Sequence, residues 1–214
     1  MTVERKFKLI KDYYDDGDIY NKSSITILDG LTVLVGCNGT GKSTLIQQIK
    51  DSLEKEKTPY ISYDNLHDGG YNARSKAGFY GDFNFLASTL QSSEGENIML
   101  NIGKFATSIG NFVKKQVDKK STEIWILLDA FDSGFSIDNI IDVKRNLFDT
   151  ILEDCKSKGI TTYIVVAANS YELANGEQCF DVYRGKYIKF KDYEDYKKFI
   201  LESGKLKYNR YKDH

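Results

Sequence analysis

Leu31-Thr32-Val33-Leu34-Val35, running into Gly36-Cys37-Asn38-Gly39-Thr40-Gly41-Lys42-Ser43-Thr44, is the stretch on which the fold of this chain turns. Its second part matches G-x-x-x-x-G-K-[ST], a phosphate-binding loop. The flanks agree: an apolar strand precedes it, and an amphipathic segment from Ser43 to about Leu53 follows. Glycines let backbone N–H groups curl around an anion, and a helix N-terminus adds free amides and the positive end of its dipole. Lys42 is expected to reach the outer phosphates and the Ser43 hydroxyl to ligate Mg²⁺. Gly36, Asn38, Gly39, Thr40, Gly41 and Thr44 complete the cradle. The ligand expected of such a stretch is a nucleoside triphosphate.

The 214 residues fit one domain of ordinary size, and a hydrophobic content of 41% argues against disorder. A formal net charge of −1 argues against a broad basic face for nucleic acid, though not against a local patch. Met1–Lys6 has no apolar run behind it, so no leader peptide is expected. The longest apolar runs, Ile124–Leu128 and Tyr163–Ala168, are too short to span a bilayer, so no membrane partner is expected. Cys37, Cys155 and Cys179 lack metal-ligand spacing and cannot all pair, which suits a reducing cytoplasm. With only His67 and His214 present, a histidine-built metal site is not expected. No linker or internal repeat divides the chain. The expected organisation is an antiparallel flap over 1–30, a nucleotide-binding core over 31–190, and a helix with a basic tail over 191–214.

Lys6–Lys11 and Ser24–Leu28 read as short strands of the flap, and Asp29-Gly30 as a hairpin-type turn into the loop strand. Tyr13, Tyr14 and Tyr20 lie on this flap; one of them stacks on a purine, or all pack the flap against the domain, and packing is favoured. Tyr60–Asn65 reads as a short strand whose end falls on the ligand edge of a parallel sheet. Asp64 and Asn65 there either approach Mg²⁺ or cap the following turn. His67–Asp82, with Arg74 and Lys76, reads as an irregular loop, and Phe83–Gln91 as a short helix. Apolar residues at three- and four-residue steps predict a helix from about Glu94 to Val117, capped by Ser92 or Ser93 with Glu96 placed for a capping box. A helix start of that kind is also a candidate anion site. Lys114–Lys120 reads as a charged connection.

Glu123–Asp129 is a strand that ends in a carboxylate at the ligand edge, able to hold Mg²⁺ through its water shell. After a tight loop containing Asp132, a long helix is expected over Ile137–Lys158. Its inward stripe is Ile137, Ile140, Ile141, Leu147, Phe148, Ile151, Leu152 and Cys155, with Gly159 as terminator. Thr161–Ala168 is another buried strand. Asn169 at its end either senses a terminal phosphate or caps the short helix at Tyr171–Ala174. Gln178–Tyr183 and Lys186–Phe190 form a closing hairpin, and Asp192–Ser203 a last helix ended by Gly204. The tail Lys205–His214 reads as exposed, with nucleic acid or an acidic partner as the alternative.

Together these pieces resemble the ABC-type ATPase heads, nearest to the compact SMC and recombination-repair kind. The phosphate loop has their Gly-x-Asn-Gly-x-Gly-Lys-Ser-Thr form, and Ser93-Glu94-Gly95-Glu96 resembles a divergent signature loop. Leu127-Leu128-Asp129 with Asp132-Ser133-Gly134 resembles their aspartate-ending strand and D-loop, and Asn169 stands where they carry a switch histidine. The resemblance implies a three-layer α/β P-loop NTPase fold with a mainly parallel central sheet and an N-terminal antiparallel flap. It implies ATP and Mg²⁺ as cofactors, with Ser43 and Asp129 at the metal. It also implies an ATP-dependent head-to-head homodimer, in which Ser93 and Gly95 of one subunit complete the site of the other. A protein or nucleic-acid partner, in DNA-related or phage and mobile-element processes, is implied by analogy alone.

The departures fall on the chemistry. The family's water-activating glutamate is Ala130 here, and Asn169 cannot carry a proton at neutral pH. Asp132 and Asp64 are the candidate replacement bases, so weak turnover is expected. Two other classes stay open. One is a non-hydrolysing, nucleotide-dependent scaffold or switch. The other is a small-molecule kinase, disfavoured because only Arg74 lies between the first helix and the Asp129 strand.

Overall fold

The computed structural model describes residues 2–13, 18–65 and 94–212, with backbone alone for 94–102 and 209–212. A six-stranded sheet is built from β3 (Gly30–Val35), β4 (Tyr60–Asp64), β5 (Glu123–Asp129), β6 (Thr161–Ala167), β7 (Gln178–Asp181) and β8 (Lys186–Ile188). The order is β4-β5-β6-β3-β7-β8, parallel throughout except for β8, which runs antiparallel to β7. A separate antiparallel pair, β1 (Glu4–Lys8) and β2 (Ser24–Leu28), forms the flap. The fold is α/β with a mainly parallel central sheet and an N-terminal antiparallel sheet.

Strand side chains alternate between two buried faces, as a period of two requires. Ile124, Ile126 and Leu128 of β5 and Ile164 and Val166 of β6 face one core. There they meet α2 (Glu94–Asp118) through Phe105, Ile109 and Val113, and the later helices through Val143, Phe148 and Cys155. Trp125, Leu127, Tyr163 and Val165 face the other core, against α1 (Lys42–Glu56) and the flap residues Phe7, Ile25 and Ile27. Trp125 stacks on Tyr163 with centroids 4.1 Å apart, and Phe7 meets it edge-on at 5.2 Å. Each such side chain contributes about 1.5–3 kcal/mol by burial. The layers are therefore helices, sheet, and helix with flap.

Several expectations are corrected. The first strand is Glu4–Lys8, not Lys6–Lys11. Asp29-Gly30 is not a hairpin turn, because β2 pairs with β1 while β3 pairs with β6 and β7; the corner passes the chain from one sheet to the other. Lys114–Asp118 belongs to α2 rather than to a loop. The helix after β5 is not uniform: α3 (Ile137–Val143) and α4 (Thr150–Ser157) flank a π-helical turn over Lys144–Asp149. Most of the expected stripe faces the core: Ile140, Phe148 and Cys155 are buried, and Leu147, Ile151 and Leu152 pack against it. Ile137 and Ile141 are 59% and 38% exposed, while Val143 is buried. After the short α5 (Tyr171–Ala174), the last helix α6 spans Tyr193–Lys212 and continues through Gly204, because tertiary contacts outweigh the helix cost of one glycine.

Candidate functional site

β3 delivers the loop to the carboxyl edge of the sheet, between neighbours β6 and β7, where ligands of open α/β sheets gather. The Lys42 ammonium donates to the carbonyls of Gly36 at 2.7 Å and Cys37 at 3.3 Å. Burial lowers the Lys42 pKa, opposed by the nearby charges of Cys37, Asp132 and Asp129. Thr40 folds its hydroxyl back onto the Cys37 carbonyl at 2.9 Å. α1 starts with Gly41 as its N-cap, with no side-chain cap and no acidic residue in its first turn. Amides at such a start are matched to an external anion.

The flap braces this start. Tyr20 donates its hydroxyl to the Gly41 carbonyl at 2.9 Å, and a Cβ at Gly41 would stand 2.4 Å from Ile19 Cγ2. Close approach and a φ of +94° both require glycine there. Gln48 pairs with both backbone groups of Ile10, at 2.7 and 2.9 Å, and Tyr13 donates to Asp51 at 2.7 Å. Tyr13 and Tyr20 thus attach the flap to α1, the packing role; Tyr14 lies outside the described residues.

The strand-end carboxylates gather beside the loop. Asp64 and Asp129 are register partners on β4 and β5. The Ser43 side chain lies beside Asp129, whose Oδ1 accepts the Ala130 N–H at 2.9 Å. Burial raises the Asp129 pKa, opposed by Ser43, the Ala130 N–H and the Lys42 charge, with Asp64 adding to the rise. Asn65 donates to the Ser133 carbonyl at 2.8 Å, tying the β4 end to the loop after β5.

Asp132, 8% exposed, sits under Asn169: its Oδ2 accepts the N–H groups of Asn169 at 2.7 Å and Ser170 at 2.6 Å. Its Oδ1 is buried with no hydrogen-bond partner among the described residues, and burial raises its pKa. Asn169 is exposed, and its backbone carbonyl accepts the Tyr196 hydroxyl at 2.8 Å. Ser170, not Asn169, caps α5 by accepting the Leu173 N–H.

Lys42, Ser43, Asp64, Asp129, Asp132 and Asn169 are thereby brought to one sheet edge. Gly95 lies in the first turn of α2. Ser93, the loop expected over 67–82 with Arg74 and Lys76, and the helix expected over 83–91 lie outside the described residues. Ser203 and Lys207, which sequence reading left in a helix end and an exposed tail, contact the loop: Ser203 Oγ accepts the Cys37 N–H at 2.8 Å and Lys207 donates to the Asn38 carbonyl at 3.0 Å. Their only signal was the spacing Tyr196, Phe199, Ile200, Ser203, Lys207, which continues one helical face past Gly204.

No protein-family model matches the chain, and no curated protein matches it. Among solved structures it is similar to a nucleotide-free ATP-binding cassette from an ABC transporter, at 17% identity and a TM-score of 0.50, over 95% of this chain and 99% of that one. It is also similar to an ATP-binding cassette of an ABC transporter in its ADP conformation, at 16% identity and a TM-score of 0.49, over 95% and 98% of the two chains. No helix among the described residues is long and apolar enough to cross a membrane. With the phosphate loop between β3 and α1 and the aspartate at the end of β5, this likeness shows that the chain has the fold of the ABC-type ATP-binding cassettes.

Proposed function

We propose that this chain is an ABC-type ATPase head that binds MgATP and uses it to join two copies head to head. The observation that carries the reading is the loop itself. A buried Lys42 is clasped by the Gly36 and Cys37 carbonyls, with Ser43 and Asp129 side by side next to it. The donor set fits Mg²⁺: a hydroxyl and a carboxylate are hard oxygen ligands, and this ion keeps phosphate and water in its remaining positions. Ser43 and Asp129 would hold it, and it would neutralise charge on the outer phosphates. Lys42 and the α1 amides orient the triphosphate, and Asp64 lies near enough to Asp129 to act through the shell of the ion.

Ser93 and Gly95 of a second copy would close over the exposed phosphates, so ATP favours the joined state by binding it better than the separated one. Calorimetry with MgATP, followed by sedimentation with and without it, tests this. Binding with dimerisation, the latter lost in Ser93→Arg, is the expected result. A monomer throughout defeats the dimer, and no heat of binding defeats the nucleotide site.

A second reading, a non-hydrolysing switch for a protein partner or a nucleic-acid machine, draws support from the chemistry after β5. Ala130 offers no base, and one Asp132 oxygen is held by two backbone N–H groups while the other is sealed from solvent. Phosphate release by the wild type, reduced in Asp132→Ala, favours hydrolysis; its absence in both favours the switch.

A further inference from the structure

We propose that Ser203 and Lys207, near the end of α6, are positioning residues for the phosphate loop, fixing two of its peptide planes so that the Gly39 N–H is aimed at bound phosphate. This rests on the reading of the loop as a triphosphate site. Residues four apart share one helix face, and both of these side chains meet the loop. Ser203 is buried, and its hydroxyl donates to the Ile200 carbonyl at 2.8 Å, which leaves a lone pair for the Cys37 N–H. Lys207 lies along Gly39, where a Cβ would stand 2.7 Å from its Nζ; any side chain at 39 would displace it.

In a trans peptide the C=O and N–H of one plane point to opposite sides. No cis peptide occurs among the described residues. The Gly36–Cys37 plane sends its N–H to Ser203 and its carbonyl to Lys42, so α6 and Lys42 lie on opposite sides of the loop. The Asn38–Gly39 plane sends its carbonyl to Lys207, on the α6 side. Its N–H is therefore turned to the Lys42 side, where the phosphates are read to bind. Asn38 and Gly39 form the exposed apex of the loop, and the glycine there has a φ of +80°. Freed from α6, these planes would rotate, and the ligand would have to order them on binding. The helix end removes that cost in advance, as preorganised donors do.

The test is ATP titration by calorimetry of wild type, Ser203→Ala, Ser203→Thr, Lys207→Ala and Lys207→Arg, each with a thermal melt. The expected result is a Kd weakened about 10-fold by each alanine, the scale of losing one hydrogen bond. Thr and Arg, which keep the acceptor and the cation, should return it to near wild type at unchanged melting temperature. A general loss of packing would lower the melting temperature and escape rescue, which overturns the inference, as does wild-type affinity in both alanine variants. Amide exchange supplies a readout that needs no nucleotide: in Ser203→Ala the Cys37 amide of the ligand-free protein should exchange faster. Absence of ATP binding by the wild type would instead overturn the nucleotide reading on which this one stands.

Discussion

The Ser43 side chain lies beside the Asp129 carboxylate, bringing the first turn of α1 to the end of β5. The two residues are 86 positions apart and meet only because β5 and β3 both end on the same sheet edge, with β6 between them. Ser43→Ala and Asp129→Asn should each weaken ATP binding in the presence of Mg²⁺ by about 10-fold or more, on the scale of a lost charge-assisted bond. Binding measured in EDTA should be far less affected. Equal losses with and without the ion would remove these two residues from the metal.

Lys42→Ala should abolish measurable ATP affinity. At 100 times its Kd a ligand stabilises by about 2.7 kcal/mol, a rise of about 5–10 °C in Tm for a chain of this size. ATP should produce such a rise in the wild type and none in the variant. A rise of the same size in both would place the triphosphate elsewhere.

Asp132 holds two N–H groups that otherwise lie without acceptors, so Asp132→Ala should cost about 1–3 kcal/mol for each group left unpaired. Asp132→Asn keeps an acceptor and should cost less. The pH dependence has a defined sign. Burial raises the folded-state pKa above its ordinary value of 3.8, so the folded state binds the proton more tightly than the unfolded chain. Wild-type stability relative to Asp132→Asn therefore falls as pH rises from about 3.8 through the raised value. Denaturant midpoints of the pair between pH 3.5 and 7 measure it, and a difference that grows with pH in favour of the wild type would contradict the assignment.

Ala130 has a φ of +47°, a left-handed conformation that costs an L-residue roughly 1–2 kcal/mol. Glycine avoids that cost but adds about 0.5–1 kcal/mol of chain entropy, so Ala130→Gly should be neutral to stabilising by about 1 kcal/mol. Ala130→Glu keeps the strain and supplies the carboxylate that the resembled family uses, and it should raise phosphate release by about 10²-fold. A glutamate variant with unchanged release and intact ATP binding would show that the missing base is not what limits turnover.

Much of the fold was legible in sequence because its signals are local. The glycine turn after an apolar strand, the bounds of β5 and the α2 periodicity depend on neighbours within a few positions. The π-turn was not legible, since Ile140 and Val143 before it and Phe148 and Cys155 within and after it share one core, and one added residue in a turn leaves that apolar spacing readable as an ordinary helix. The double lock of Asp132 on Asn169 and Ser170 was equally hidden, because it spans two strand ends brought together by sheet order.

The sequence by itself determined that there would be a phosphate loop, which residues would form it, and that a carboxylate would end a neighbouring strand. Tertiary structure alone decided what holds that loop in shape. Lys207 reaches Asn38 across 169 positions of chain, and Tyr20 meets Gly41 through the flap. Contacts of that range follow from how faces pack and strands are ordered, and neither residue type nor spacing encodes them.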